Sequence, residues 1–225
     1  KVIPCRLRGK FRIEGIKNTN PLVVGDHVLF DLMEDQTGMI TQIEKRKNYI
    51  DRKSTKLSKI SHLIAANIDQ AFLVVTLQDP RTSLGFIDRF LVAAEGFRIP
   101  TTLVFNKMDI YEEEMLEMVE YLSDLYSSVG YSILHTSIVT EEGIDQMRAK
   151  MSGKVSLFSG HSGVGKSALI NTLYPGLDLK VGELSQYHRK GRHTTTFAQM
   201  FQLEAKTFII DTPGIKGFGM LEMGA

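Results

Sequence analysis

From Val2 to Ile43 the hydrophobic residues come in short alternating bursts, namely Phe11-Arg-Ile13, Val23-Val24, Val28-Leu29-Phe30 and Met39 to Ile43. Gly9, Gly15, the stretch Asn18 to Pro21, Gly25-Asp26 and Gly38 separate them. Alternation of period two, broken by turn formers at this spacing, predicts a small antiparallel β-barrel with no helix. Glu44 to Lys59 then carries seven Lys/Arg, two acids and Tyr49, and is expected to be the exit of the barrel and a linker.

Beyond the linker the pattern changes. Ala71 to Thr76, Thr101 to Phe105, Ser132 to Leu134 and Val155 to Ser159 are short β-branched or aromatic runs. Between them, Ile87 to Glu95 and Glu112 to Val129 place apolar residues at helical spacing, with Met115, Leu116, Val119, Leu122 and Leu125 as a stripe opposite acids. Strands alternating with helices predict a mostly parallel sheet covered on both faces. Phe197 to Leu203 and Thr207 to Ile210, separated by three residues, predict an antiparallel hairpin on that sheet. The expected division is a barrel with its basic linker over 1–58 and an α/β domain over 59–225.

Composition narrows the class. With 225 residues, 43% hydrophobic, 24% charged and one cysteine, Cys5, the chain is neither disordered nor a disulfide scaffold. Its apolar runs fall far short of the roughly 20 residues a membrane span needs. A reducing, cytoplasmic setting and a monomer are expected. The charge is unevenly placed: residues 1–60 hold 13 Lys/Arg against 7 Asp/Glu, whereas 61–225 hold 14 against 19. A basic module ahead of an acidic one suggests that the first meets a polyanion.

The chemistry lies in the second part. Gly160, His161, Ser162, Gly163, Val164, Gly165, Lys166 and Ser167 spell G-x-x-x-x-G-K-S, directly after the strand run and before the helical Ala168 to Tyr174. In such a loop backbone amides turn toward phosphate oxygens and the following helix points its positive end at them. Lys166 can reach the β- and γ-phosphates, and Ser167 can ligate Mg²⁺. Asn106, Lys107, Met108 and Asp109 form N-K-x-D at the end of another strand. A carboxylate at Asp109 can accept two N–H groups of guanine, Asn106 can tie the base to neighbouring loops, and the Lys107 stem can lie over the base. GTP is therefore the favoured nucleotide.

Three further segments fit. Asp211-Thr-Pro-Gly214 ends a strand, where Asp211 could hold Mg²⁺ through a water and the Gly214 amide could meet the γ-phosphate. Thr136-Ser137 suits the loop that touches the guanine carbonyl. Lys190 to Thr196 lies where a switch segment would offer a threonine hydroxyl to Mg²⁺, Thr195 being the expected ligand. The order is unusual, because N-K-M-D and T-S precede the G-H-S-G-V-G-K-S loop, the reverse of Ras-like GTPases. A circular permutation accounts for it, since joining old ends and cutting elsewhere leaves the packed strands in place.

With C-R-L-R-G-K-F-R and V-G-D-H-V in the basic module, then N-K-M-D, G-H-S-G-V-G-K-S, G-R-H-T-T-T and D-T-P-G-I-K-G-F, the chain strongly resembles the ribosome small subunit-dependent GTPase A family, RsgA or YjeQ. The resemblance implies an OB-fold barrel, a circularly permuted P-loop GTPase domain, the 30S ribosomal subunit and its 16S rRNA as partners, and GTP hydrolysis stimulated by the subunit during its late maturation. It departs from the family in two ways. The chain opens at Lys1, so a trimmed first barrel strand is expected. The family's carboxy-terminal zinc domain has no counterpart, because no cysteine follows Cys5 and the chain stops at Ala225; a truncated chain is expected, with its full affinity for the subunit open.

Many GTPases orient the attacking water with a glutamine after D-x-x-G, but here that residue is Ile215. Lys166, Mg²⁺ and loop amides remain for the charge on the transferring phosphate. His193 is the candidate for positioning water, with His161 as the second. In the barrel Arg6, Arg8, Lys10 and Arg12 alternate with Cys5, Leu7, Gly9 and Phe11, which predicts a cationic strand face for RNA. Phe11, Phe30 and Tyr49 could stack bases, but Phe11 and Phe30 are expected in the core instead. The competing readings are an ATP-dependent P-loop enzyme, disfavoured by Asp109, and a GTP-dependent RNA-binding switch without turnover, favoured by Ile215.

Overall fold

A computed structural model describes residues 2–7, 21–53, 61–175 and 198–211. The chain divides into two compact units, Lys1–Asn67 and Ile68–Ala225.

In the first unit β1 (Cys5–Leu7), β2 (Val28–Leu32) and β3 (Gly38–Ile43) form a sheet in the order β1-β3-β2. β2 and β3 are antiparallel, joined by a turn in which the Met33 amide donates to the Thr37 carbonyl at 2.8 Å. β1 instead runs parallel to β3, so this sheet is mixed and not the purely antiparallel one the alternation predicted. Period-two patterning reports which face is buried and carries no information on strand direction.

The expected linker contains β4 (Tyr49–Lys53), which pairs antiparallel with β5 (Ser61–Ala66). Its cationic flanks conceal a strand whose Ile50 is buried. Because β5 is bound to β4, the division between the units falls after Asn67 and not at 58/59. Gly25, in the left-handed region at φ 89°, sits where a Cβ would stand 2.0 Å from the Ala66 carbonyl oxygen, so no other residue fits there. Phe30 is 40% exposed on β2 and does not join the core expected of it. Phe11 lies outside the described residues.

The second unit is built on six strands: β6 (Gln70–Val75), β7 (Thr101–Asn106), β8 (Ser132–Thr136), β9 (Val155–Ser159), β10 (Gln199–Glu204) and β11 (Thr207–Asp211). Their order is β10-β11-β9-β6-β7-β8, parallel throughout except for the β10–β11 hairpin. Every residue of β6 and β7 is buried, as expected of central strands rich in β-branched and aromatic residues when helices cover both faces of a sheet.

The helices are α1 (Leu84–Gly96), α2 (Glu113–Ser128), α3 (Ile144–Met151) and α4 (Lys166–Leu173). α3, absent from the expectations, has a polar composition but buries Ile144, Met147 and Met151 at spacings of three and four. Those residues join Phe72, Phe158, Leu169 and Ile170 in one core. Each such side chain stabilises the fold by about 1.5–3 kcal/mol on burial. β6 and β9 are sheet neighbours far apart in the chain, as a permuted connection requires.

Candidate nucleotide site at the carboxyl ends of the strands

β9 runs out at Ser159 and the chain turns through Gly160, where a Cβ would stand 2.1 Å from the Val74 carbonyl oxygen on the neighbouring strand. The loop closes at Gly165, at φ 97°, and α4 starts at Lys166. A Cβ on Gly165 would stand 2.3 Å from the Asn106 amide nitrogen, so the absence of a side chain lets the two loops meet. Inside the loop the Lys166 ammonium donates to the carbonyl oxygens of Gly160 and His161, both at 2.7 Å. These bonds place the cation within the concavity, where phosphate oxygens would be attracted by charge and by the amides at the start of α4.

Asn106 joins three loops. Buried at the end of β7, it donates through Nδ2 to the Val164 carbonyl at 2.7 Å and accepts through Oδ1 from the Thr136 hydroxyl at 2.9 Å. Leaving any of these buried groups without its partner would cost about 1–3 kcal/mol. Ser137, also buried, donates its hydroxyl to Asp109 Oδ1 and accepts from the amides of Val139 at 3.1 Å and Thr140 at 3.2 Å. The exposed Asp109 carboxylate is thereby held in one orientation. Lys107 takes a left-handed conformation, φ 64°, and its ammonium donates to the Asp79 carbonyl.

The sequence did not single out three supporting groups. Buried Tyr111 accepts from the Leu77 amide at 2.9 Å and donates to the Asn106 carbonyl at 3.0 Å. Burial pushes its phenol above the usual tyrosine value, which keeps it a donor. The loop between β6 and α1 supplies the Asp79 carbonyl to Lys107, and Pro80 approaches the position a Cβ on Gly163 would take to 3.4 Å. Phe86, on α1, lays its ring against His161 with centroids 4.1 Å apart. Burial, then the Lys166 charge, pulls the His161 imidazole below its ordinary value, so the ring is neutral at neutral pH. An aromatic directly after N-K-M-D-I was the one signal that could have drawn attention to Tyr111.

The structure therefore brings together Asn106, Lys107, Asp109, Thr136, Ser137 and the loop from Gly160 to Ser167. β11 ends at Asp211 beside β9, since Ile210 pairs with Leu157, so Asp211 reaches the same edge of the sheet. Ser167 is buried in the first turn of α4. A serine hydroxyl and a carboxylate are hard oxygen donors, a set that fits Mg²⁺. No cluster of three His, Cys, Asp or Glu side chains that could hold a metal occurs among the described residues. His193, Thr195 and Gly214 lie outside the described residues, as do Arg8, Lys10 and Arg12. Arg6 is on β1, where Cys5, Arg6 and Leu7 are all exposed.

A P-loop, an N-K-x-D loop and a T-S loop on one edge of a sheet in this strand order define a circularly permuted P-loop GTPase. Residues 43–221 match the RsgA GTPase family model and residues 1–40 the RsgA N-terminal domain. The chain is 52% identical over 223 residues to the small ribosomal subunit biogenesis GTPase RsgA of Bacteroides fragilis, covering 99% of this chain and 72% of that protein. It is 54% identical over 226 residues to the protein of the same name from Christiangramia forsetii, with 99% and 72% covered. Among solved structures, YjeQ from Thermotoga maritima superposes with a TM-score of 0.75 at 39% identity, over 96% of this chain and 67% of that one. YloQ, a circularly permuted GTPase, superposes with 0.67 at 26% identity, over 97% and 65%. The chain belongs to the RsgA GTPase family.

Proposed function

We propose that this chain hydrolyses GTP to GDP and phosphate on the small (30S) ribosomal subunit, as its relatives' name indicates, during late maturation of that subunit. The observation that carries the GTP reading is the buried Asn106 bridge, which ties the loop bearing Asp109 to both Val164 and Thr136. Asp109, oriented by Ser137, reads the guanine edge, and the Lys107 stem covers its face. The loop from Gly160 to Ala168 cradles the phosphates. Ser167, Thr195 and, through water, Asp211 would hold Mg²⁺, which supplies positive charge to the phosphate oxygens when bound.

In the reaction water attacks the γ-phosphorus, the bond to the bridging oxygen breaks, and GDP leaves with that oxygen. Lys166 and the Gly214 amide stabilise the charge that develops. His193 is the proposed residue that orients the water. His161, held neutral against Phe86, has a ring nitrogen free of a proton and could serve the same role. The first unit, with Arg6, Arg8, Lys10 and Arg12, would track 16S rRNA phosphates, so binding should weaken steeply with salt. A cytoplasmic monomer fits this role. Among the described residues no helix is long and apolar enough to cross a membrane.

The decisive experiment measures phosphate release from GTP at low salt, with and without purified 30S subunits and with ATP as control. Stimulated, GTP-specific release is expected. Equal turnover of ATP would overturn the guanine reading. GTP-specific release indifferent to the subunit would keep the GTPase assignment and place subunit engagement outside these residues or with a different partner.

A further inference from the structure

Helix α2 carries Glu113, Glu114, Glu117, Glu120 and Asp124 and no lysine or arginine. Among the described residues none of these carboxylates is in an ion pair. Glu113 and Glu114 are accounted for by the positive end of the helix, but the other three lie beyond the first turn, where that effect has faded.

On the helical wheel Val119, Leu122 and Tyr126 face the sheet and are buried. Met118, Tyr121, Leu125 and Val129 follow one another at spacings of three and four along an adjoining flank, and are 49, 63, 44 and 66% exposed. Of the apolar stripe expected from the sequence only Leu125 lies on this flank; Met118, Tyr121 and Val129 add a second apolar strip that the sheet does not cover. Beside that flank, between α2 and the start of α1, a groove of about 480 Å³ is lined by Leu77, Leu84, Met115, Met118 and Leu122, with Arg81 and Glu114 as charged members.

An apolar groove and strip bordered by unpaired carboxylates repels a phosphate backbone and matches a cationic, amphipathic helix, whose apolar residues enter the groove while its cations meet the acids. We propose that the α1–α2 face docks a lysine- and arginine-rich amphipathic segment of a protein. This rests on the small-subunit reading above: on the subunit, the occupant is a basic ribosomal protein and not rRNA. Leu77 and Thr82, which line the groove, flank Asp79 and Pro80, which contact Lys107 and approach Gly163. An occupant therefore bears on the loop that touches the nucleotide site from its other side.

The test uses this chain with a photo-crosslinking amino acid at Met118, bound to purified 30S subunits, together with the double variant Glu117→Lys, Asp124→Lys. The expected result is a crosslink to a basic protein, and a roughly five- to tenfold loss of crosslink yield and of subunit-stimulated GTP hydrolysis in the double variant. Hydrolysis without the subunit should be unchanged, which also shows that the variant folds. A second variant, Tyr121→Ser with Leu125→Ser, should lose stimulation similarly through the apolar strip. Co-sedimentation with crosslinks to rRNA or to nothing, or stimulation indifferent to both variants, would overturn the docking proposal while sparing the small-subunit reading. Failure of the unaltered chain to co-sediment at all would overturn both.

Discussion

In the nucleotide-binding unit β6 and β7 bury every side chain and helices cover both faces, whereas the described part of the first unit buries only Ile40, Ile50, Ala65 and Ala66 among its apolar residues. The first unit places a charged pair where the second has hydrocarbon. Arg46 Nε and an Nη donate to the two Asp26 oxygens at 2.6 and 2.7 Å, and the same Nη reaches the Pro21 carbonyl at 2.8 Å. Both side chains are almost wholly buried, at 7% and 1% exposure, and the Val23 amide also donates to Asp26 at 2.9 Å. A large sheet can stand on apolar burial and leave its polar groups for a ligand. The smaller unit, with few apolar side chains buried among its described residues, holds a bidentate charge pair that is strongly destabilising to break by removing either half.

The sharpest way to break this contrast is Asp26→Ala. It strands a buried guanidinium and should cost about 3–5 kcal/mol. Amide hydrogen exchange should show protection lost in 21–53 and kept in β6 and β7; uniform loss would mean that the two units are not independently stabilised. Leu103→Ala, in the fully buried β7, should cost about 2–5 kcal/mol, with the reverse pattern of protection. Asn106→Ala should weaken GTP binding roughly ten- to a hundredfold through about 1–3 kcal/mol of lost bridging, with a smaller change in melting temperature than Leu103→Ala gives. Equal losses in both measurements would make Asn106 a structural residue only.

The smallest effect concerns His161. Its folded-state value is depressed, so as pH falls below about 6.5 the unfolded chain takes up the proton first and stability declines; above that pH the contribution is fully present. NMR titration should place the ring below the ordinary histidine value. Phe86→Leu should raise it, by opening the ring to water.

The second unit was largely legible because its signals are dense. A short β-branched and aromatic run such as that of β7, set between helical segments, permits little but a doubly covered strand, and N-K-M-D at its end names both a turn and a chemistry. The first unit was harder to read. Its cations at Lys45, Lys47, Arg52 and Lys53 masked the strand around Ile50, and nothing in a period-two pattern reveals that β1 runs parallel to β3. Nor could spacing show that Arg46, counted with the linker cations, turns inward to Asp26 twenty residues away. In the site, the structure brings together the residues singled out in N-K-M-D, T-S and the G-x-x-x-x-G-K-S loop, whereas the residues that act through contact alone carried no sequence signal. Tyr111, Asp79 and Phe86 belong to no motif, since a phenol bridge, a backbone carbonyl and a ring face leave no trace in spacing.

The permuted strand order also bears on synthesis. β6, β7 and β8 are consecutive in the chain and adjacent in the sheet, so they can pair as they leave the ribosome, carrying Asn106, Asp109, Thr136 and Ser137 already in register. β9 and its phosphate loop are translated afterwards and must be added at the free edge of β6, and β11 after that. A nascent chain of this kind assembles its base-reading half first and gains its phosphate loop afterwards, so nucleotide capture can begin only once β9 and α4 have been added.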